Sequence, residues 1–123
     1  MYILDSSALI ELLRESPSGK RIADEIGDTP AITTAFTVNE LLIGAKGVQR
    51  KTIEKLFEGV EVIVYDKDSA IKSTEIEEML MKKGQAINKV DIFIAGICMT
   101  NKKPLITLDK HFKRIPELTA IFI

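Results

Sequence analysis

The amino-acid sequence predicts an α/β protein: a three-layer α/β/α sandwich around a central parallel sheet of four to five strands. Two observations carry this. Short apolar, often β-branched runs recur along the chain, and a segment with helical periodicity separates each run from the next. Strands that alternate with helices imply right-handed crossovers, which set neighbouring strands parallel and place helices on both faces. A chain of 123 residues has room for one core, so residues 1–123 are expected to form a single domain. With 46% apolar and 28% charged residues, the composition excludes a disordered or fibrous protein.

Tyr2-Ile3-Leu4 is the first strand, and Asp5-Ser6-Ser7 begins a helix whose stripe of Ala8, Leu9, Leu12 and Leu13 runs until Pro17 interrupts. Ile22, Ala23 and Ile26 form a second helical stripe, closed by Gly27. Ala31-Ile32-Thr33 is the second strand. From Phe36 to Ala45 the positions Val38, Leu41, Leu42 and Ala45 again repeat with helical period. Ile53, Leu56 and Phe57 make one more stripe before Gly59, read as core rather than as a subunit contact. Val60 to Tyr65 is the most β-branched stretch and the firmest strand expected.

Asp68 to Lys83 is amphipathic, with Ile71, Ile76, Met79 and Leu80 on one side, and stops at Gly84. Val90 to Met99 is apolar on nearly every side and is expected to be a central helix covered all round. Leu105-Ile106-Thr107 is a strand, a short helix around His111-Phe112-Lys113 stops at Pro116, and Ala120 to Ile123 is the last strand. Met79, Met81 and Met99 are read as packing residues.

Seventeen basic against 18 acidic residues give a net charge of −1, so the molecule has no general basic field to draw in nucleic acid. Ile92 to Met99, broken only by Gly96, is the longest apolar stretch and falls far short of the roughly 20 residues of a membrane span. Met1-Tyr2-Ile3-Leu4-Asp5 shows no basic segment, hydrophobic run or small-residue cleavage site, so export is not expected. Cys98 is the only cysteine, which excludes an internal disulfide and a cysteine-based zinc site and suits a cytoplasmic location.

In open α/β sheets ligands gather beyond the carboxyl ends of the strands. Asp5 follows the first strand and Asp109 the strand Leu105–Thr107; Glu40 lies in the helix leaving the second strand, and Asp91 near the start of the apolar helix. Each acid has a local explanation. Thr37-Val38-Asn39-Glu40 fits a capping box and Asn88-Lys89-Val90-Asp91 a looser one, while Asp109 fits an N-cap and Asp5 could assist a Ser6 cap. Jointly they point elsewhere, because carboxylates gathered in a partly dry site repel one another and take up protons unless a cation neutralises them. Oxygen donors without a cysteine cluster, and with one histidine, select Mg²⁺ or Mn²⁺. Such an ion acidifies water and polarises a phosphoryl group; two ions about 4 Å apart would serve both ends of an in-line displacement. Phosphodiester hydrolysis is the chemistry expected.

At this point Ile3-Leu4-Asp5-Ser6-Ser7-Ala8-Leu9, Thr37-Val38-Asn39-Glu40-Leu41-Leu42-Ile43-Gly44, Asp91-Ile92-Phe93-Ile94-Ala95 and Leu105-Ile106-Thr107-Leu108-Asp109-Lys110-His111-Phe112 stand in an order that resembles a PIN-domain ribonuclease of the VapC toxin type, from Ile3 to about Leu118. The resemblance implies a Mg²⁺- or Mn²⁺-dependent endoribonuclease acting on single-stranded RNA, usually a homodimer and often neutralised by a small protein antitoxin. Asp5, Glu40 and Asp91 match the family's metal-binding acids, and Asp109 its more variable fourth. Ser6 and Thr107 match small polar positions that hydrogen-bond the acids or their waters. Asn88 and Gly96 replace the small residues more usual there, a departure that bears on helix entry and packing more than on chemistry.

Lys110, Lys113 and Arg114 share the expected active edge and are candidate RNA phosphate contacts, whereas His111 reads as an ordinary, partly exposed histidine. No aromatics interleave with the basic residues, so base recognition is expected to rest on shape or flanking loops. Two rival readings remain open. A receiver-like phosphoacceptor signalling domain would use Asp66, although strand one ends in a single acid and no lysine follows the last strand region. A PIN-like module that binds without turnover would keep the same acids.

Overall fold

The computed structural model describes residues 1–123. β1 (Ile3–Leu4) leads into α1 (Ser6–Arg14) and α2 (Pro17–Ile26), β2 (Ile32–Thr34) into α3 (Ala35–Gly44) and α4 (Val48–Glu58), and β3 (Glu61–Ile63) into α5 (Lys67–Lys82) and α6 (Lys89–Thr100). β4 (Leu105–Thr107), a 3-10 helix (Lys110–Arg114) and β5 (Ala120–Phe122) complete the chain. All four strand pairs are parallel and the sheet order is β3-β2-β1-β4-β5, so the α/β/α sandwich expected from the alternation of strands and helices is the fold observed.

Successive strand residues point to opposite faces, and this divides the core in two. Ile3 and Leu105 turn to the α5–α6 side, joined by Ile76, Leu80, Ile92 and Ile97; Leu4 and Ile106 turn to the other, joined by Leu9, Ile22, Leu41 and Ile53. The buried hydroxyl of Thr33 is satisfied by donating to the Leu4 carbonyl at 2.7 Å, tying β2 to β1. No helix is long and apolar enough to cross a membrane.

Several local expectations change. Val60–Tyr65 yields only the three residues of β3, at the sheet edge, with Val62 and Val64 exposed: β-branching marks a strand but not its place in the sheet. Ile71 is exposed, and the face α5 buries is instead Ser69, Ser73, Ile76 and Leu80. The serines are there because α6 approaches closely. A Cβ on Gly96 would overlap the Ser73 hydroxyl and come within 2.7 Å of the Ser69 carbonyl oxygen. Met81, expected to pack, is exposed as well. Helix α6 is covered as its composition requires, though within an outer layer between the sheet, α5 and the Phe112–Leu118 segment, rather than at the centre.

The caps also move. Asp5 is itself the N-cap of α1 and accepts from the Ala8 N–H at 3.0 Å; it does not assist a Ser6 cap. Thr34, not Thr37, caps α3, which leaves Glu40 a full turn too deep in the helix to close a capping box. Asn88 caps α6 through the Val90 N–H and Asp109 caps the 3-10 helix through the His111 N–H, as expected of them.

Candidate active site

Strand order reverses around β1: the chain first builds outward through β2 and β3, then returns to lay β4 and β5 on the other side. A crevice opens beyond the carboxyl ends of the strands at such a switch point. The cleft found there has a volume of about 460 Å³, and Asp5, Glu40, Asp91 and Asp109 all line it, with Ser6, Ser7 and Asn88. Four acids far apart in sequence are thereby brought together by β1, α3, α6 and the turn after β4.

Asp5 is the most enclosed, 5% exposed. Its Oδ1 accepts from the Ser7 hydroxyl at 2.7 Å and from the Ala8 N–H, and its Oδ2 from the Thr107 hydroxyl at 2.5 Å. Of roughly four lone-pair directions on a carboxylate, one on Oδ2 is left over. Burial raises the Asp5 pKa above the ordinary carboxyl value, while these three hydrogen bonds pull it down and the Asp109 charge adds a smaller upward push. Thr107 also accepts the Asp109 N–H at 3.0 Å, and Ser7 the Leu108 N–H at 3.1 Å, so one small network fixes the ends of β1 and β4 together. Ser6 donates to Glu40, holding the exposed end of the α3 carboxylate toward α1.

Ser6 and Thr107 thus each bond an acid, as the family pattern implies. Ser7 was not anticipated. It stands beside Ser6 in the helix-start run, and only its approach to the end of β4 gives it a second role. Among the basic candidates, none lines the cleft: Lys110 is exposed and follows the cleft-lining Asp109 in sequence, the Lys113 ammonium sits 5.1 Å from the Phe122 ring centre, and the Arg114 guanidinium donates to the Ala86 carbonyl at 2.5 Å. Arg114 thereby ties the turn after β4 to the loop before α6. His111 is largely exposed, with Nδ1 3.0 Å from Asp109 Oδ1.

Asp91 shows what this gathering does to charge. Its pKa is raised to about 6, first by burial, then by the charges of Asp109, Asp5 and Glu40, with His111 opposing. No three of the acids stand close enough to form a ready coordination shell by themselves. This suits an ion that keeps several waters and takes one or two carboxylates directly, as Mg²⁺ does. The all-oxygen donor set, the spare Oδ2 direction of Asp5 and the unbalanced negative charge at Asp91 all fit such an ion.

A pH effect on stability follows. Folded Asp91 titrates near 6 and the ordinary value is 3.8, so the folded chain holds this proton more tightly. The stabilisation is complete below about 4, is lost as pH rises to about 6, and changes little above that. In metal-free protein, Asp91→Asn is expected to raise the thermal midpoint relative to wild type more at pH 7 than at pH 4. A calorimetric difference that is the same at both pH values would count against the repulsion described.

An α/β/α sheet with acids converging at its switch point defines a class of acid-cleft α/β proteins, and it is distinct from the phosphoacceptor domains, whose strands run 2-1-3-4-5. Asp66 accordingly lies at the edge-strand side, capping α5 through the Ser69 N–H at 2.9 Å. The chain belongs to the PIN domain family, whose model matches residues 2–118. It is 28% identical to Ribonuclease VapC1 of Haemophilus influenzae over 126 aligned residues, covering 96% of this chain and 94% of that protein. The structure of VapBC-1 from nontypeable Haemophilus influenzae superposes with a TM-score of 0.82 at 25% identity, covering 98% of this chain and 96% of that one. A toxin-antitoxin complex from Klebsiella pneumoniae gives a TM-score of 0.78 at 20% identity, covering 98% and 96%.

Proposed function

We propose that this chain is a divalent-ion-dependent endoribonuclease of the VapC toxin type, acting on single-stranded RNA through Asp5, Glu40, Asp91 and Asp109. The observation that carries this reading is the convergence of these four carboxylates, from four separate elements, on one cleft. The ribonuclease name of its relative and the toxin-antitoxin complexes that share its fold support the same reading. A cognate protein antitoxin, a homodimeric state and a cytoplasmic location belong to it too.

When bound, Mg²⁺ or Mn²⁺, as one ion or two, would supply Lewis acidity at the phosphoryl oxygen and lower the pKa of an adjacent water. Asp5 would hold the ion through its spare Oδ2 direction, kept rigid by Ser7 and Thr107. Glu40, restrained by Ser6, and Asp91 would bind the ion directly or through its waters; Asp109 adds charge from the turn after β4. The cleft is otherwise negative, so an RNA phosphate enters it only once that charge is offset. Lys110, with Lys113 and Arg114 further out, would meet phosphates of the flanking strand.

Chelation tests this directly. EDTA is expected to abolish cleavage of a single-stranded RNA, and excess Mn²⁺ to restore it in the same sample. Cleavage that persists at full rate in EDTA would sink the metal reading, whereas Mn²⁺ uptake by calorimetry without cleavage would favour the non-catalytic module.

A further inference from the structure

Only 6% of residues are aromatic, yet three of them meet in one cluster. Phe36 and Tyr65 lie edge to face with ring centres 5.2 Å apart, Tyr65 and Phe93 are 4.9 Å apart, and Phe36 and Phe93 5.4 Å apart. They come from the first turn of α3, the segment after β3 and the second turn of α6, so all three stand toward the carboxyl edge of the sheet, as the acids do. None is fully buried: Phe36 and Tyr65 rest on the α5–α6 core, and all three keep part of their surface in solvent.

Their neighbours give the cluster a use. Phe36 is four residues before Glu40 on α3, which places their Cβ atoms about 6 Å apart on one face. Side chains lean toward a helix's N-terminus, so Glu40 leans back over the turn that carries Phe36. Phe93, two residues after Asp91 on α6, turns away from Asp91 and joins the cluster through its contacts with Phe36 and Tyr65. None of the three lines the cleft itself; the cluster stands one helical turn from Glu40, which does, and partly exposed aromatic rings at that distance offer a surface on which an unpaired base stacks, an interaction tolerant of sequence because every base has a π-face.

We propose that Phe36, Tyr65 and Phe93 form a stacking platform for a base of the single-stranded RNA next to the phosphate held in the cleft. This rests on the ribonuclease reading, and makes the three aromatics binding residues rather than part of the acidic machinery. A base seated there fixes the strand's register relative to Glu40.

The test uses full-length protein carrying Asp5→Asn, with Mg²⁺ present, and a labelled oligouridine alongside the same strand with abasic positions. Tyr65→Leu is expected to weaken binding of oligouridine about 5- to 150-fold and to leave the abasic strand unaffected. The chain has no tryptophan and only one other tyrosine, Tyr2, so with Tyr2→Phe in place the emission of Tyr65 should be quenched by oligouridine but not by the abasic strand. Unchanged affinity in both Tyr65→Leu and Phe93→Leu overturns the platform, as does no measurable binding of either strand. Conversion of a dimer to a monomer by Tyr65→Leu also overturns it, since the cluster is then a subunit contact. Wild-type protein that binds the oligouridine with Mg²⁺ present but cleaves no RNA would instead defeat the ribonuclease reading, independently of where the bases stack.

Discussion

Asp5→Asn is expected to reduce RNA cleavage at least about a hundredfold while the protein stays folded, since losing an ion's Lewis acidity removes several kcal/mol of transition-state stabilisation. The substitution is chosen because it separates charge from shape. Asparagine caps a helix as well as aspartate does, so its Oδ1 can still accept the Ala8 N–H and the Ser7 hydroxyl. At the other oxygen an amide donor replaces an acceptor, and Thr107 can reverse its role, having a second lone pair beside the one that accepts the Asp109 N–H. What disappears is a negative charge held in a site where burial already opposes it. The thermal midpoint should therefore equal or exceed that of wild type. A cleavage rate within about threefold of wild type, at saturating Mn²⁺, would show that this carboxylate does not carry the chemistry.

The largest effect on stability is expected at Gly19, where α2 crosses α1. Alanine is favoured over glycine within a helix by about 0.5–1 kcal/mol. Here the added methyl would overlap the Glu11 carbonyl oxygen and lie 2.7 Å from its carbon and 3.2 Å from the Leu12 Cα. These atoms are backbone and cannot swing aside; the two helices must separate. Overpacking of this kind outweighs the helix preference, and a net loss of about 3 kcal/mol is expected, lowering the thermal midpoint by about 10 °C. Gly44→Ala is the control. A Cβ there meets nothing within 4 Å, so only the propensity gain remains and the midpoint should hold or rise. Equal behaviour of the two variants would refute the close crossing.

Much of this architecture could be read from residue order alone. Apolar periodicity located every helix and strand, because each buries one face against a sheet whose spacing is fixed. What it could not give is depth. Val62 has the side chain of an interior strand and lies at an edge, Val64 falls beyond the strand and is exposed, and Ile71 has the side chain of a core face and lies in water. Caps were misplaced where two residues satisfied one rule: Thr34 and Thr37 both precede suitable turns, and only the path of β2 selects Thr34. The four acids were legible because strand ends and a parallel sheet set their direction. Ser7 and the aromatic cluster were not, since each depends on contact between segments whose separation in sequence carries no periodic signal.

The edge position of β3 also bears on how copies of this molecule meet. An open strand is a template on which a neighbour can extend a sheet without limit, the route to insoluble fibres. β3 offers a ladder of only three residues and begins with the exposed carboxylate of Glu61. Two such edges laid side by side would bring like charges together for very little pairing in return. Even at high concentration, fusion of sheets through the β3 edge is thereby disfavoured.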